Sequence, residues 1–144
     1  MPEPRGVDAL LAAARSRLAR LTVLQARAAA DAGAVLVDIR YAALRERDGT
    51  VPGALIVERN ELEWRLDPAC DHRIAEATDH DRRVVVFCNE GYASSFAAVS
   101  LQALGLHQAT DLIGGFQAWR AAGLPVSPTA GQVASPVSVA DRTS

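Results

Sequence analysis

Cys88 stands where a reactive thiol would be useful. It follows the apolar run VVVF (84–87) and opens the turn Asn89-Glu90-Gly91-Tyr92-Ala93, after which a second apolar run starts near Ser94. Gly91 can take the backbone angles that so sharp a turn demands. Successive N–H groups in a tight loop point inward and form an anion-binding nest, and the helix that follows adds its positive end. A thiolate at Cys88 would sit in that field, and the thiolate is the nucleophilic form of cysteine. The competing reading is plain packing, since a free cysteine is often buried as a small hydrophobe. The order strand, cysteine, glycine turn, helix by itself brings the chemical reading level with packing.

Other polar groups are weighed against that thiol. Ser94 and Ser95 are expected to cap the helix after the turn, with a second bond to sulfur open to them. Asp38 and Arg40 close an early strand and can approach the site, although a structural ion pair is preferred. Tyr92 either flanks the entrance or is simply exposed. Phosphoryl transfer on such a loop needs an arginine that grips the oxygens bidentately, and Ser94 occupies that position. Cys70-Asp71-His72 and Asp79-His80-Asp81 offer metal-ligand types, but their spacing matches no zinc pattern, and a solvated loop is expected. Cys70 as a resolving thiol for Cys88 would need a proximity that sequence does not show, and it is given little weight. Trp64 and Trp119 occupy amphipathic helix positions, so core packing is expected of both.

The elements that must position these groups read as follows. Residues 7–21 form an amphipathic stripe (Val7, Leu10, Leu11, Ala14, Leu18, Leu21) and are read as one helix, packed on its own domain by default, with a dimer left open. Thr22 and Gln25 make a capping box for a helix over 23–32, ended by Gly33. VLVDI (35–39) is a buried strand. A polar stretch leads to Gly49, Pro52 and Gly53, which mark turns before a short strand at 54–57. Asn60 is expected to cap a helix through ELEWRL, stopped by Pro68. Residues 69–82 read as loop, VVVFC as the clearest strand, 94–104 as a buried helix, 110–113 as a last short strand and FQAWRAA as a helix opened by Gly114-Gly115. Alternating strands and helices predict a parallel sheet covered on both faces.

The 144 residues carry a net charge of −2, and every basic residue is Arg. The length suits one domain, and no basic stripe points to nucleic acid. No segment reads as a membrane span or a signal peptide, because Arg15, Arg17 and Arg20 interrupt the first apolar stretch. Two cysteines make no disulfide framework, so a reducing cytoplasm is the expected setting.

Four stretches together resemble the rhodanese-like family of sulfurtransferases. VLVDIR (35–40) is similar to its early strand ending in Asp-x-Arg, and GTVPGA (49–54) to its Gly-His-Ile-Pro-Gly-Ala turn. CNEGYASS (88–95) resembles its C-x-x-G-x-x-S loop, and LIGGFQAWRAAGLPV (112–126) its closing signature. The resemblance implies an α/β fold, a central parallel sheet flanked by helices on both faces, here with an extra N-terminal helix. It divides the chain into an extension (1–21), the rhodanese-like domain (22–126) and a tail (127–144), which its Ser, Thr, Pro, Val and Ala composition with few charges predicts to be disordered. It also implies catalysis at Cys88, which would take a sulfane sulfur from thiosulfate or a persulfide and pass it to a thiol acceptor. The backbone of Asn89, Glu90, Gly91, Tyr92, Ala93 and Ser94 would bind substrate, with Asp38, Arg40 and Ser95 in support. No metal or organic cofactor is implied, and neither nucleic acid nor membrane is an expected partner. The alternatives are a sulfur carrier or protein-binding module without turnover and, in third place, a phosphatase or arsenate reductase on the same fold.

Two departures from the family pattern stand out. The loop has no arginine and carries Glu90, so thiosulfate is expected to be a poor donor. Thr50 replaces the usual histidine in a turn read as structural.

Overall fold

The computed structural model describes residues 5–128. Four parallel strands, β1 (Val35–Asp38), β2 (Leu55–Ile56), β3 (Val84–Phe87) and β4 (Thr110–Asp111), form one sheet in the order β2-β1-β3-β4. Among the described residues the α-helices are α1 (Gly6–Arg15), α2 (Val23–Asp31), α3 (Ala42–Asp48), α4 (Leu62–Leu66), α5 (Ala93–Ala103) and α6 (Gly115–Ala121). Both β1 and β3 are buried throughout, as largely apolar, valine-rich strands are when a sheet is covered on each side. Their side chains alternate between two cores. Val84 and Val86 pack with Leu62 and Leu66 of α4 and Ala97 and Leu101 of α5. Val85 and Phe87 pack with Ala26 and Ala29 of α2 and Phe116 and Trp119 of α6.

Several local readings hold. Thr22 and Gln25 form the expected reciprocal cap on α2. Thr50 is structural: its Oγ1 donates to Asp38 Oδ2 at 2.8 Å, and its backbone pairs with Ser127. Ser127 is thus paired at the start of the expected tail, while 129–144 lie outside the described residues.

Other readings are corrected. The helix expected over 7–21 stops at Arg15, because Leu21 is extended and adds to the free edge of β4. Its N–H donates to Asp111 O at 3.0 Å, and its carbonyl accepts from Ile113 N at 2.8 Å. Edge amides that would otherwise lack partners decide the backbone there. Within the stripe, Leu11 and Ala14 are buried while Val7 and Leu10 are exposed. The polar stretch before Gly49 is helix α3, which carries no apolar face that a sequence pattern could report. Asn60 does not cap; it lies in a 3-10 turn (Arg59–Glu61), and Glu61 holds the N-cap position of α4.

The end of α3 is tied to α6. Asp48 accepts from Arg47 at 2.7 Å, from Gln117 Nε2 at 2.9 Å and from Arg120 Nη1 at 3.2 Å. These bonds, that of Arg47 first, hold its carboxyl below the ordinary carboxylate value. The folded state therefore binds this proton less readily than the unfolded chain. Ionised Asp48 stabilises the fold at neutral pH, and that contribution drains away as the pH falls below the ordinary value. Asp48→Asn should melt below the parent protein at pH 7, with the gap closing progressively below about pH 4. A gap of equal size at pH 3 and pH 7 would contradict this role.

Candidate functional site

Cys88 follows β3 directly, at the carboxyl end of the sheet, where parallel α/β folds place their sites. The pleat that points Val84 and Val86 at α5 points Cys88 the same way, and the residue is 8 % exposed. Its Sγ accepts from Gly91 N at 3.2 Å and from Ser94 N, in the first turn of α5, at 3.4 Å. Nitrogens, not carbonyl oxygens, thus face the sulfur.

Four of the loop carbonyls are bonded elsewhere. Phe116 N and Gln117 N, at the start of α6, donate to Cys88 O at 2.9 Å and Asn89 O at 3.0 Å. Gly91 O accepts from Arg15 Nη2 at 2.7 Å and Arg20 Nη2 at 2.9 Å. Tyr92 O accepts from Ser95 N at 3.2 Å. In a trans peptide, fixing a carbonyl outward turns the following N–H the other way. These contacts thus orient the N–H groups of Asn89, Glu90, Tyr92 and Ala93, and they hold in place the loop whose Gly91 and Ser94 amides reach Sγ. Gly91 has φ +90°, and a Cβ there would lie 2.7 Å from Gly114 N, so this residue supplies both the turn and the close approach to the Gly114-Gly115 pair.

Beneath the loop lies Asp111 of β4, wholly buried. It accepts from Ser94 Oγ and Ser95 Oγ, each at 2.8 Å, and pairs with Arg20 Nε at 2.8 Å. The serines are therefore not caps on α5, whose N-cap Tyr92 makes no side-chain bond. The buried carboxylate outcompetes the local amides for both hydroxyls, since a charged acceptor makes the stronger bond. Asp38 and Arg40 form a second buried pair at 2.7 Å, and Arg40 Nη2 also donates to Gly49 O at 2.6 Å. This is the structural pairing preferred from sequence, although Arg40 also reaches the wall of the pocket over Cys88.

That pocket has a volume of about 360 Å³. Its surface is mainly apolar, from Ile39, Tyr41, Leu44, Tyr92 and Ala93, with Cys88 among the lining residues. Asn89, Arg59 and Glu90 complete the lining, Glu90 being exposed. Tyr92, 59 % exposed, flanks the opening.

Residues 22–122 match the rhodanese-like domain. The chain belongs to the rhodanese-like family. It is 31 % identical to thiosulfate sulfurtransferase GlpE of Pseudomonas fluorescens over 105 residues, covering 73 % of this chain and 87 % of that one. A solved structure from Rhodopseudomonas palustris, a protein of unknown function described as a possible tyrosine phosphatase, is similar at 36 % identity and a TM-score of 0.77. It covers 88 % of this chain and 99 % of its own. A thiosulfate sulfurtransferase of Pseudomonas aeruginosa matches at 28 % identity and a TM-score of 0.57, over 76 % of this chain and 19 % of its own.

Measured against the rhodanese-like pattern, sequence reasoning missed the outer side of the loop. Arg15 and Arg20 lie 71 or more residues from their loop partners, so no local motif could announce them. Asp111 did leave a signal, a lone carboxylate in a strand that folds into the core, and such a residue calls for partners. Trp119 is buried, its Nε1 donating to Pro125 O at 2.8 Å, but Trp64 is 56 % exposed, against expectation. Helix α4 spans only Leu62–Leu66 and buries only its two leucines, which leaves the tryptophan on the outer face. Cys70 lines a different groove, beside Glu63 and Leu104. Among the described residues no cluster of three or more His, Cys, Asp or Glu could hold a metal, and no helix is long and apolar enough to cross a membrane.

Proposed function

We propose that this rhodanese-like protein is a sulfurtransferase that works through a persulfide on Cys88, with residues 22–126 as the reacting domain. The observation that carries the reading is the pair of amide donors on Sγ, in a loop held by Phe116 N and Gln117 N through Cys88 O and Asn89 O. Cys88 thiolate attacks the sulfane sulfur of the donor. The donor S–S bond breaks with its electron pair on the leaving group, sulfite from thiosulfate or a thiolate from an organic persulfide. The resulting Cys88–S–S⁻ carries the negative charge on its outer sulfur, where the loop N–H groups supply an oxyanion-hole type of support. An acceptor thiolate then attacks that outer sulfur, takes it as a new persulfide and releases Cys88 thiolate, a double displacement. Mass spectrometry after exposure to donors tests this: a one-sulfur gain at Cys88 that cyanide strips away is expected. No gain from any donor would leave a binding module instead.

Phosphate chemistry is the weaker reading, despite the possible tyrosine phosphatase among the similar structures. Among residues 88–95 no guanidinium is available to grip phosphoryl oxygens, and Arg15 and Arg20 donate to Gly91 O.

The pocket supports a donor or acceptor less anionic than thiosulfate, either an organic persulfide or a protein one. Apolar walls gain from an apolar body on the substrate, whereas Glu90 at the rim repels a dianion. Because Glu90 is exposed, its effect is modest and screened by salt. Glu90→Gln should lower the thiosulfate KM about two- to threefold at low ionic strength and leave it nearly unchanged at about 0.5 M salt. An unchanged constant at low salt would remove Glu90 from donor selection.

A further inference from the structure

We propose that Arg15 and Arg20, both outside the matched domain, are positioning residues that aim the sulfur-binding loop and supply the cation it lacks. The idea rests on reading Cys88 as the reacting thiol. Both guanidiniums converge on one carbonyl, Gly91 O, at 2.7 and 2.9 Å. Arg15 Nε donates to Ser95 Oγ at 3.2 Å, and its guanidinium lies 5.5 Å from the centre of the Tyr92 ring. Arg20 closes the other side through Asp111, which holds Ser94 and Ser95. Three consequences follow from these contacts.

The peptide after Gly91 is trans and its carbonyl is pinned outward, so the Tyr92 N–H faces the concave side of the loop with the Gly91 and Ser94 amides. The Tyr92 ring, which flanks the pocket mouth, is held by a cation on its outer side. The charge balance also changes. Among the described residues Arg20 is paired with Asp111, while Arg15 is paired with no carboxylate. The cluster of Arg15, Arg20 and Asp111 therefore carries one net positive charge directly behind the loop. The segment that precedes the matched domain supplies what Glu90 and the arginine-free loop withhold.

Alkylation by iodoacetamide at pH 7, followed at each cysteine by mass spectrometry, tests this without relying on turnover. Arg15→Met is expected to slow alkylation of Cys88 roughly tenfold, the scale of losing hydrogen bonds to a charged donor. Cys70, in its separate groove, should react at an unchanged rate. Arg15→Lys should recover little, because an ammonium cannot bridge Gly91 O and Ser95 Oγ as the planar fork does. Arg20→Lys should slow Cys88 in the same direction, and Arg17→Met, on an exposed neighbour, should change nothing. The direction separates positioning from mere support: a loosened fold would uncover the buried thiol and speed its reaction. Cys88 reacting at the parental rate or faster in Arg15→Met would overturn the proposal. Sulfur loading of the unmodified protein would stand in that case, and its absence would instead remove the function reading while leaving the alkylation result interpretable. Should Arg20→Lys fail to fold, Arg15→Met decides alone.

Discussion

Cys88→Ser is expected to abolish sulfur transfer with every donor, by about a thousandfold or more, with the fold intact. The serine hydroxyl is close in size to the thiol and can accept from the same two amides, Gly91 N and Ser94 N. Its stability should therefore lie within about 1 kcal/mol of the parent. The chemistry is what fails. A hydroxyl stays protonated at neutral pH without a paired base, and an oxygen cannot hold the sulfane sulfur as a persulfide that an acceptor later removes. Donor-dependent sulfur gain should disappear at residue 88 and not reappear at Cys70, which lines another groove and accepts His72 N at 3.4 Å. Cys70→Ser should load normally. Retained turnover in Cys88→Ser would sink the mechanism, and a gain that moves to Cys70 would mean the wrong thiol has been chosen.

The parts of the structure that sequence made legible are those that local physics decides. VLV (35–37) and VVVF (84–87) are continuous apolar runs whose only low-cost home is the middle of a covered sheet, and both are there. Thr22 and Gln25 satisfy each other within one turn, so their role needs no distant partner. Cys88 and Gly91 are three positions apart, and the turn between them carries its own signal. What was not legible depends on partners far along the chain. The stripe on 7–21 is helical in periodicity but cannot report that Asp111 and Ile113 offer free backbone groups to Leu21. Ser94 and Ser95 look like caps because the competing acceptor, Asp111, is 16 or more residues away. Helix α3 hides for another reason: Arg45 is its buried residue, and its guanidinium bonds Arg40 O, so the inward face reads as polar.

Gly115→Ala carries the second large effect, and it tests how the amides acquire their direction. Gly115 has φ +62°, and an added Cβ would lie 2.5 Å from Cys88 O, 2.7 Å from Asn89 C and 2.8 Å from Asn89 O. All three are backbone atoms and cannot swing aside as a side chain would. The two oxygens are the same carbonyls that Phe116 N and Gln117 N hold outward. Alanine must therefore either push the loop off α6 or lift the start of α6, and both stretch those bonds. Backbone strain of about 1 kcal/mol adds to two weakened hydrogen bonds at about 1 kcal/mol each. A loss of about 2–4 kcal/mol in stability is expected, with sulfur loading slowed about a hundredfold because the donors no longer converge on Sγ. Gly123→Ala is the matched control. It also sits at positive φ, +76°, but nothing lies within 4 Å of its added Cβ. It should show the strain alone and load sulfur at the parental rate. If the two variants lose stability equally and both load normally, the carbonyl contacts with α6 do not orient the loop, and the direction of the amides must come from the arginine side alone.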